Sequence, residues 1–268
     1  MALSQKSVEE ATAEIPWVRE VHFHEALPST SLEARRLAQA GAPEGTVVVA
    51  DQQTGGRGRK GRHWYSPAGV NLYLSVLLRP TLLPPERTPL LTLAAGVALC
   101  RALQPFLGLH HARLKWPNDV LVEGKKLAGV LTEMSTTATH VDYVVLGIGV
   151  NCNHPAAMWP PELAGEATSL YEITGEVRPR EQVLFQVLSH LGAGYTRLQR
   201  GEAGECIEAW KRLAATLDGR VRIDRGRDVV EGVARDVDAS GALVVERDDG
   251  TWETVTAGDV TMVGAAEG

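Results

Sequence analysis

Gly55-Gly56-Arg57-Gly58-Arg59-Lys60-Gly61-Arg62-His63-Trp64 is the most unusual stretch of this 268-residue chain. Glycines alternate with cations, and an aromatic residue closes the run. Glycine lets backbone amides approach an oxyanion, arginine offers a planar fork to phosphate or carboxylate, and tryptophan offers a ring face to a heterocycle. A solvated surface loop is the other reading of such a run taken alone. The spacing is not GxxxxGK[ST], nor GxGxxG at a strand-to-helix turn, so nucleotide folds built on those motifs are excluded. Its flanks carry the fold. Thr46 to Ala50 is a short β-branched strand, and Leu72 to Leu78 is apolar on both faces, so the polar loop Asp51 to Arg62 joins two central strands.

Outward from this loop, Ser29-Thr30-Ser31-Leu32-Glu33 opens a helix on a cluster of hydroxyls. Thr30 and Glu33 have capping-box spacing, and Gly41 is a stop signal. Thr88-Pro89 starts a buried apolar helix that ends before Pro105. Between Arg113 and Leu131 the pattern predicts a strand, a Pro-Asn-Asp turn and a hairpin with Glu123 to Lys126 at its tip. Tyr143 to Val150 is another central strand, 155–175 a long loop, and 180–199 and 203–214 are helices separated by Gly201. Beyond Leu217 short alternating runs between Asp, Gly and Ser turns predict a small β-barrel. We therefore divide the chain into residues 1–215 and 216–268, the second too small to hold its own core without leaning on the first.

Hydrophobic residues make up 44% and charged residues 22%, which excludes a disordered or fibrous chain. The net charge of −6 makes the whole molecule a poor partner for nucleic acid, since a polyanion needs a strong basic patch. The 3 cysteines, Cys100, Cys152 and Cys206, form no CxxC pair, so neither a disulfide framework nor a thiolate zinc site is expected, and a reducing cytoplasm fits. No secretory leader is visible at the N-terminus, and no uninterrupted apolar run reaches the ~18 residues of a membrane span.

A second stretch with chemical content is Lys115-Trp116-Pro117-Asn118-Asp119, followed by Lys125-Lys126-Leu127-Ala128-Gly129. Singly these are a turn and a solvated hairpin tip. Together they place a carboxylate near a fixed cation, as a magnesium-nucleotide site requires.

In combination, GRGRKGRHW (56–64), KWPND (115–119), KLAG (126–129), GIGVN (147–151) and the Ser29-Thr30-Ser31 segment after a strand resemble the biotin–protein ligases, in order and in spacing. The resemblance spans roughly residues 20–215 and a compatible small terminal β domain. It implies an α+β fold, a mixed-sheet catalytic domain of the biotin/lipoate ligase type followed by an SH3-like barrel. It implies a two-step reaction: biotin is activated by ATP as biotinyl-5′-AMP, then passed to a lysine of the biotin carboxyl carrier protein of acetyl-CoA carboxylase. ATP and Mg²⁺ are the implied co-substrate and activator. By position, Ser29, Thr30, Ser31, Gln53, Gly56, Arg57, Gly58, Arg59 and Lys126 match biotin contacts. Arg59, Arg62, Trp64, Asn118, Asp119 and Asn151 match the nucleotide side. Lys126, Arg59 and Asp119 carry the catalytic assignment, with Asp119 also the candidate magnesium ligand. The glycines of the basic loop imply that it is disordered until ligand orders it. A helix-turn-helix repressor domain has no room before Ser29, so the resemblance implies a monofunctional ligase. Such ligases often pair through sheet edges, which implies a homodimer. Their terminal strand often ends in arginine where this chain has Val263, which implies packing or carrier docking for the small domain in place of nucleotide contact. Rival readings remain: a lipoate–protein ligase or an octanoyl transferase, the latter using Cys152 as nucleophile, and a nucleic-acid-binding module using the basic loop and Trp64.

Overall fold

Alternation along the central strands sorts their side chains onto two faces with different occupants. The computed structural model describes residues 3–137 and 140–263. Helix α1 (Gln5–Thr12) precedes a seven-stranded sheet formed by β1 (Glu20–Leu27), β2 (Thr46–Gln53), β3 (Leu72–Leu78), β4 (Arg113–Lys115), β5 (Asp119–Val122), β6 (Lys125–Thr136) and β7 (Val141–Val150). The strand order is β1-β2-β3-β7-β6-β5-β4. β1 and β2 are parallel, joined through α2 (Thr30–Gln39), and the other neighbours are antiparallel. The sheet is thus mixed, within the expected α+β architecture.

On one face Val47, Val49, Leu74, Val76, Val144, Leu146 and Ile148 enter the main core with α3 (Pro89–Leu103), α5 (Arg180–Gln199) and α6 (Ala203–Leu213). Full burial of each such side chain stabilises the fold by ~1.5–3 kcal/mol. With its flanking 3₁₀ turns, the segment Pro85–Phe106 is long and apolar enough to cross a membrane, yet most of it is buried inside the protein, where α3 packs against α5 and α6. On the opposite face Val48, Leu77 and Val145 pack under Ala34 and Ala38 of α2. That helix covers only the β2, β3 and β7 end. The rest of the face forms the floor of a cleft.

Several local expectations are corrected. Ser29, not Thr30, is the N-cap of α2, and its side chain makes no capping bond. Glu33 pairs with Arg36 instead of reaching back to the helix start. The hydroxyl of Thr30 is turned to Gln53 and Ser75, tertiary partners that outcompete the local cap. β2 continues past Ala50 to Gln53 because the parallel ladder with β1 extends to Leu27↔Gln53. The expected loop 155–175 contains a short helix, α4 (Leu170–Thr174), with Ser169 as its N-cap.

The terminal strands β8 (Arg220–Asp224), β9 (Val229–Val237), β10 (Leu243–Glu246), β11 (Trp252–Val255) and β12 (Asp259–Val263) form an antiparallel sheet in the order β11-β10-β9-β8-β12. Its buried residues, Val221, Ile223 and Val245 among them, belong to the same core cluster as Leu93 and Trp116. The chain enters it along β4: Ala215 N donates to Leu114 O at 2.7 Å, and Trp116 N donates to Thr216 Oγ1 at 2.9 Å.

Candidate active site

The floor of the cleft is set by sheet register. Tyr73 of β3, Gly149 of β7, Gly129 of β6, Asp119 of β5 and Lys115 of β4 are successive cross-strand partners, so they share the face away from the main helices. The two glycines serve a close approach. A Cβ at Gly149 would collide with the indole of Trp64, and one at Gly129 would lie 3.1 Å from both Trp64 Cζ3 and Lys126 Cε. Trp64 therefore lies flat against the bare sheet, its Nε1 without a hydrogen-bond partner.

Strict alternation would send Lys126 and Gly129, three residues apart, to opposite faces. The β5–β6 ladder has a register shift between Val120 and Leu121, so Asp119 pairs with Gly129 while Leu121 pairs with Lys126. The irregularity brings Lys126 into the cleft. Its Nζ lies 2.6 Å from Asp119 Oδ1 and 5.2 Å from the centroid of the Trp64 ring. The backbone of Lys126 is held from both sides: its N–H donates to Glu166 O at 2.8 Å and its carbonyl accepts from Thr168 N at 3.0 Å. Asn151 Nδ2 donates to the same carbonyl at 3.2 Å, so the side chain assigned to the nucleotide holds the Lys126 backbone.

At the other end of the cleft, uncharged groups form a chain of hydrogen bonds. Ser31 Oγ and Ser75 Oγ are 3.0 Å apart, and Ser75 donates to Thr30 Oγ1 at 2.8 Å. Gln53 Oε1 accepts from Thr30 N at 2.9 Å, while Gln53 Nε2 donates to Ser66 Oγ at 3.0 Å. Ser29 and Ser31, both buried, line the same end. Ser75 is absent from the sequence assignment.

The basic loop spans the space between. Its own bonds close it into a tight excursion: Gly58 N donates to Arg62 O at 2.7 Å and Trp64 N to Gly56 O at 3.0 Å. A Cβ at Gly56 would collide with Trp64 O, so this glycine is a steric requirement at the loop entrance. Arg59 Nη1 donates to Asn118 Oδ1 at 3.3 Å, and Asn118 Nδ2 donates to Val130 O at 3.0 Å, tying the loop to the sheet. Arg57 faces Glu133 at 3.5 Å. Where the glycines predict disorder before binding, the structure shows this segment closed on polar partners. Arg57, Gly58, Arg59, Arg62, Trp64, Asn118, Asp119, Lys126 and Asn151 all line one cleft of about 590 Å³ with Ser29, Thr30, Ser31 and Gln53.

The electrostatics favour an anionic occupant. Burial pushes the Arg59 guanidinium down from its ordinary pKa, against the upward pull of Asp259 and Asp119. Burial likewise lowers Lys115, with Asp119 opposing. Both cations are desolvated beyond what nearby carboxylates offset, a deficit that a bound phosphate or carboxylate would relieve. Sequence reasoning passed over Lys115 as a site residue, although it opens the second motif. It also missed the wall made by Trp159, Leu163 and Glu166 from the 155–175 segment. Trp159 is fixed by stacking on His154, ring centroids 3.8 Å apart, and by donating Nε1 to Glu172 Oε2 at 3.0 Å.

Among the described residues no group of three or more His, Cys, Asp or Glu side chains could hold a metal ion, and Asp119 already has the Lys126 ammonium on Oδ1. The residues do not form a resident metal site. Cys152 is fully buried, its thiol pushed up to about 12 by burial and bonded to Val150 O, so it is no nucleophile.

Comparison with known proteins agrees with the geometry. Residues 24–151 match the biotin/lipoate A/B protein ligase family, and 216–263 match the biotin protein ligase C terminal domain. A Bacillus subtilis protein named bifunctional ligase/repressor BirA is 37% identical over 228 residues, 85% of this chain and 70% of the relative. A biotin–[acetyl-CoA-carboxylase] ligase of Mycobacterium tuberculosis is 35% identical over 237 residues, 87% of this chain and 85% of the relative. The structure of a biotin protein ligase from Aquifex aeolicus in complex with biotin and ATP superposes with a TM-score of 0.78 at 31% identity, covering 91% of this chain and 98% of that one.

Proposed function

The chain belongs to the biotin protein ligase family, and we propose from this premise that its cleft joins biotin to ATP and then to a lysine of a biotin carboxyl carrier domain. The observation that carries this reading is the polarity gradient along the cleft: a neutral hydroxyl-amide network at the Ser31–Gln53 end and under-compensated cations at the Arg59–Lys115 end. A neutral cyclic urea with a carboxylate tail fits the first and points its charge at the second. The triphosphate fits beside the cations.

In the first step a biotin carboxylate oxygen attacks the α-phosphorus of ATP, and the bond to the β-phosphate oxygen breaks to release pyrophosphate. Two anions must meet. Lys126 is placed to neutralise both the carboxylate and the phosphoryl oxygens as charge moves between them, and Asp119 orients its ammonium. Arg59 adds charge from above, and the Trp64 face is offered to adenine. Magnesium enters as MgATP, carried by phosphate oxygens, with Asp119 as the nearby protein carboxylate. In the second step the carrier lysine amine attacks the acyl carbonyl, and AMP leaves with the bonding pair. The closed basic loop excludes water from the mixed anhydride until that amine arrives. The reading places the reaction in the cytoplasm, consistent with thiols left free at Cys100, Cys152 and Cys206.

The test is incubation with labelled biotin, MgATP and an apo carrier domain, scoring pyrophosphate release and label transfer separately. Biotin-dependent release followed by label on the carrier lysine is the expected result. Equal release with lipoate would overturn the choice of acid.

A further inference from the structure

The basic loop is anchored not to the catalytic sheet alone but to the small terminal domain. Lys60 Nζ lies 3.3 Å from Asp259 Oδ2 and donates to Asp224 O at 2.9 Å. Arg62 pairs with the same Asp259 oxygen. Arg59 Nη1 donates to Gly258 O at 3.2 Å. Three of the four cations of the loop thus land at the start of β12 and the end of β8, 199 and 164 residues away in sequence. Gly258 lets the turn before β12 pack closely on β8, because a Cβ there would collide with Ile223 Cγ2. Lys60 itself adopts φ +54°, a left-handed conformation rarely taken by a side-chain-bearing residue and here held by those two contacts. The small cavity behind Arg59 is lined by Thr88, which donates to Pro85 O, and by Thr92 and Thr132, which bond each other.

We propose that Asp259 is a positioning residue of the terminal domain, whose carboxylate clamps Lys60 and Arg62 so that the basic loop stays closed over the acyl-adenylate. The proposal rests on the ligase reading and names a part of it that the motifs do not contain. Burial alone would raise the Asp259 carboxyl, but Arg62 and then Lys60 outweigh it and hold the group below the usual carboxylate range, so it is ionised at neutral pH. A single exposed ion pair contributes little, whereas one carboxylate shared by two cations beside two carbonyl contacts forms a network. Loss of that carboxylate should open the loop on the order of fivefold more often.

Two readouts separate this idea from its premise. Limited trypsin digestion of the ligand-free protein reports cleavage after Arg57, Arg59, Lys60 and Arg62 and needs no activity. Escape of preformed biotinyl-adenylate, trapped by hydroxylamine, reports retention. Asp259→Asn should be cut in the loop and should lose adenylate about fivefold faster than wild type, while still releasing pyrophosphate in the first turnover. Asp259→Glu should restore both rates. Asp248→Asn, which removes the exposed partner of Arg220 elsewhere on the same domain, should change neither. If Asp259→Asn matches wild type in both readouts, or if Asp259→Glu is as impaired as Asp259→Asn, the clamp is wrong. Should Asp259→Asn fail to fold, Lys60→Gln, outside the residues assigned to substrate, removes one of the two pairs from the other side and must also speed escape. A wild-type protein that makes no adenylate would sink the ligase reading, while the digestion pattern would still judge the clamp.

Discussion

Lys126 is held by its backbone more firmly than by its side chain. Two main-chain bonds from the 166–168 segment and the Asn151 amide fix its Cα, while the ammonium has one ion pair and a ring face. That division suits a group whose charge must follow a moving negative charge, because the stem is placed and the tip remains free to change partners. Lys126→Ala should lower the rate of adenylate formation about 10²–10³-fold, the usual cost of losing one donor aimed at a developing charge. Nucleotide affinity should fall much less, since Arg59 and Lys115 remain. Pyrophosphate release set against equilibrium nucleotide titration separates the two, and equal losses would contradict a transition-state role. Lysine is also the apt residue here, a compact point charge over the indole, so Lys126→Arg should not rescue the rate.

At the scale of elements, the cleft depends on a strand that gives up side chains on one face. β7 buries Leu146, Ile148 and Val150 on the core side and presents Gly147 and Gly149 on the other, where Ser31 and Trp64 lie against them. β3 and β6 flank β7, so its backbone has nowhere to retreat. Gly149→Ala should therefore expel the Trp64 ring, shifting indole fluorescence and weakening nucleotide binding at least about tenfold, at a stability cost of ~1–3 kcal/mol. Unchanged fluorescence would show that the ring can slide. Much of this arrangement is legible in the sequence where the signal is local: the apolar runs of β3, β7 and α3, the stops near Gly41 and Gly201, and the cations of the loop. The illegible parts depend on distant partners. The Thr30–Glu33 spacing predicts a capping box, but Gln53 and Ser75 arrive from other strands and take the Thr30 hydroxyl. Ser75 is one hydroxyl in an apolar strand, and only the register that sets it beneath the start of α2 gives it meaning. The 155–175 segment reads as a loop because its own turns are short, a 3₁₀ turn at Ala156–Met158 and the five-residue α4, and it is fixed further by the bridge from Ala167 to Lys126 and the stack of Trp159 on His154.

Across the whole molecule each edge of the large sheet is bonded at one point: Gln5 of α1 bonds Val21 O and Phe23 N on β1, and Ala215 N donates to Leu114 O on β4. The second of these contacts also seats the terminal domain. Trp116, almost wholly buried, donates Nε1 to Gly241 O at 3.0 Å, so a residue of the KWPND motif is pinned by a carbonyl of the small domain. Because the two sheets share one core cluster, they should unfold together. Trp116→Phe keeps a ring in place but leaves the Gly241 carbonyl without its donor, a loss of about 1–3 kcal/mol and, for a chain of this size, a melting point lower by roughly 2–5 °C. Differential scanning calorimetry should show one transition for wild type and variant alike. Two resolved transitions in the wild type would mean that the domains are energetically separate, and with them would go the route by which the terminal sheet steadies the KWPND motif.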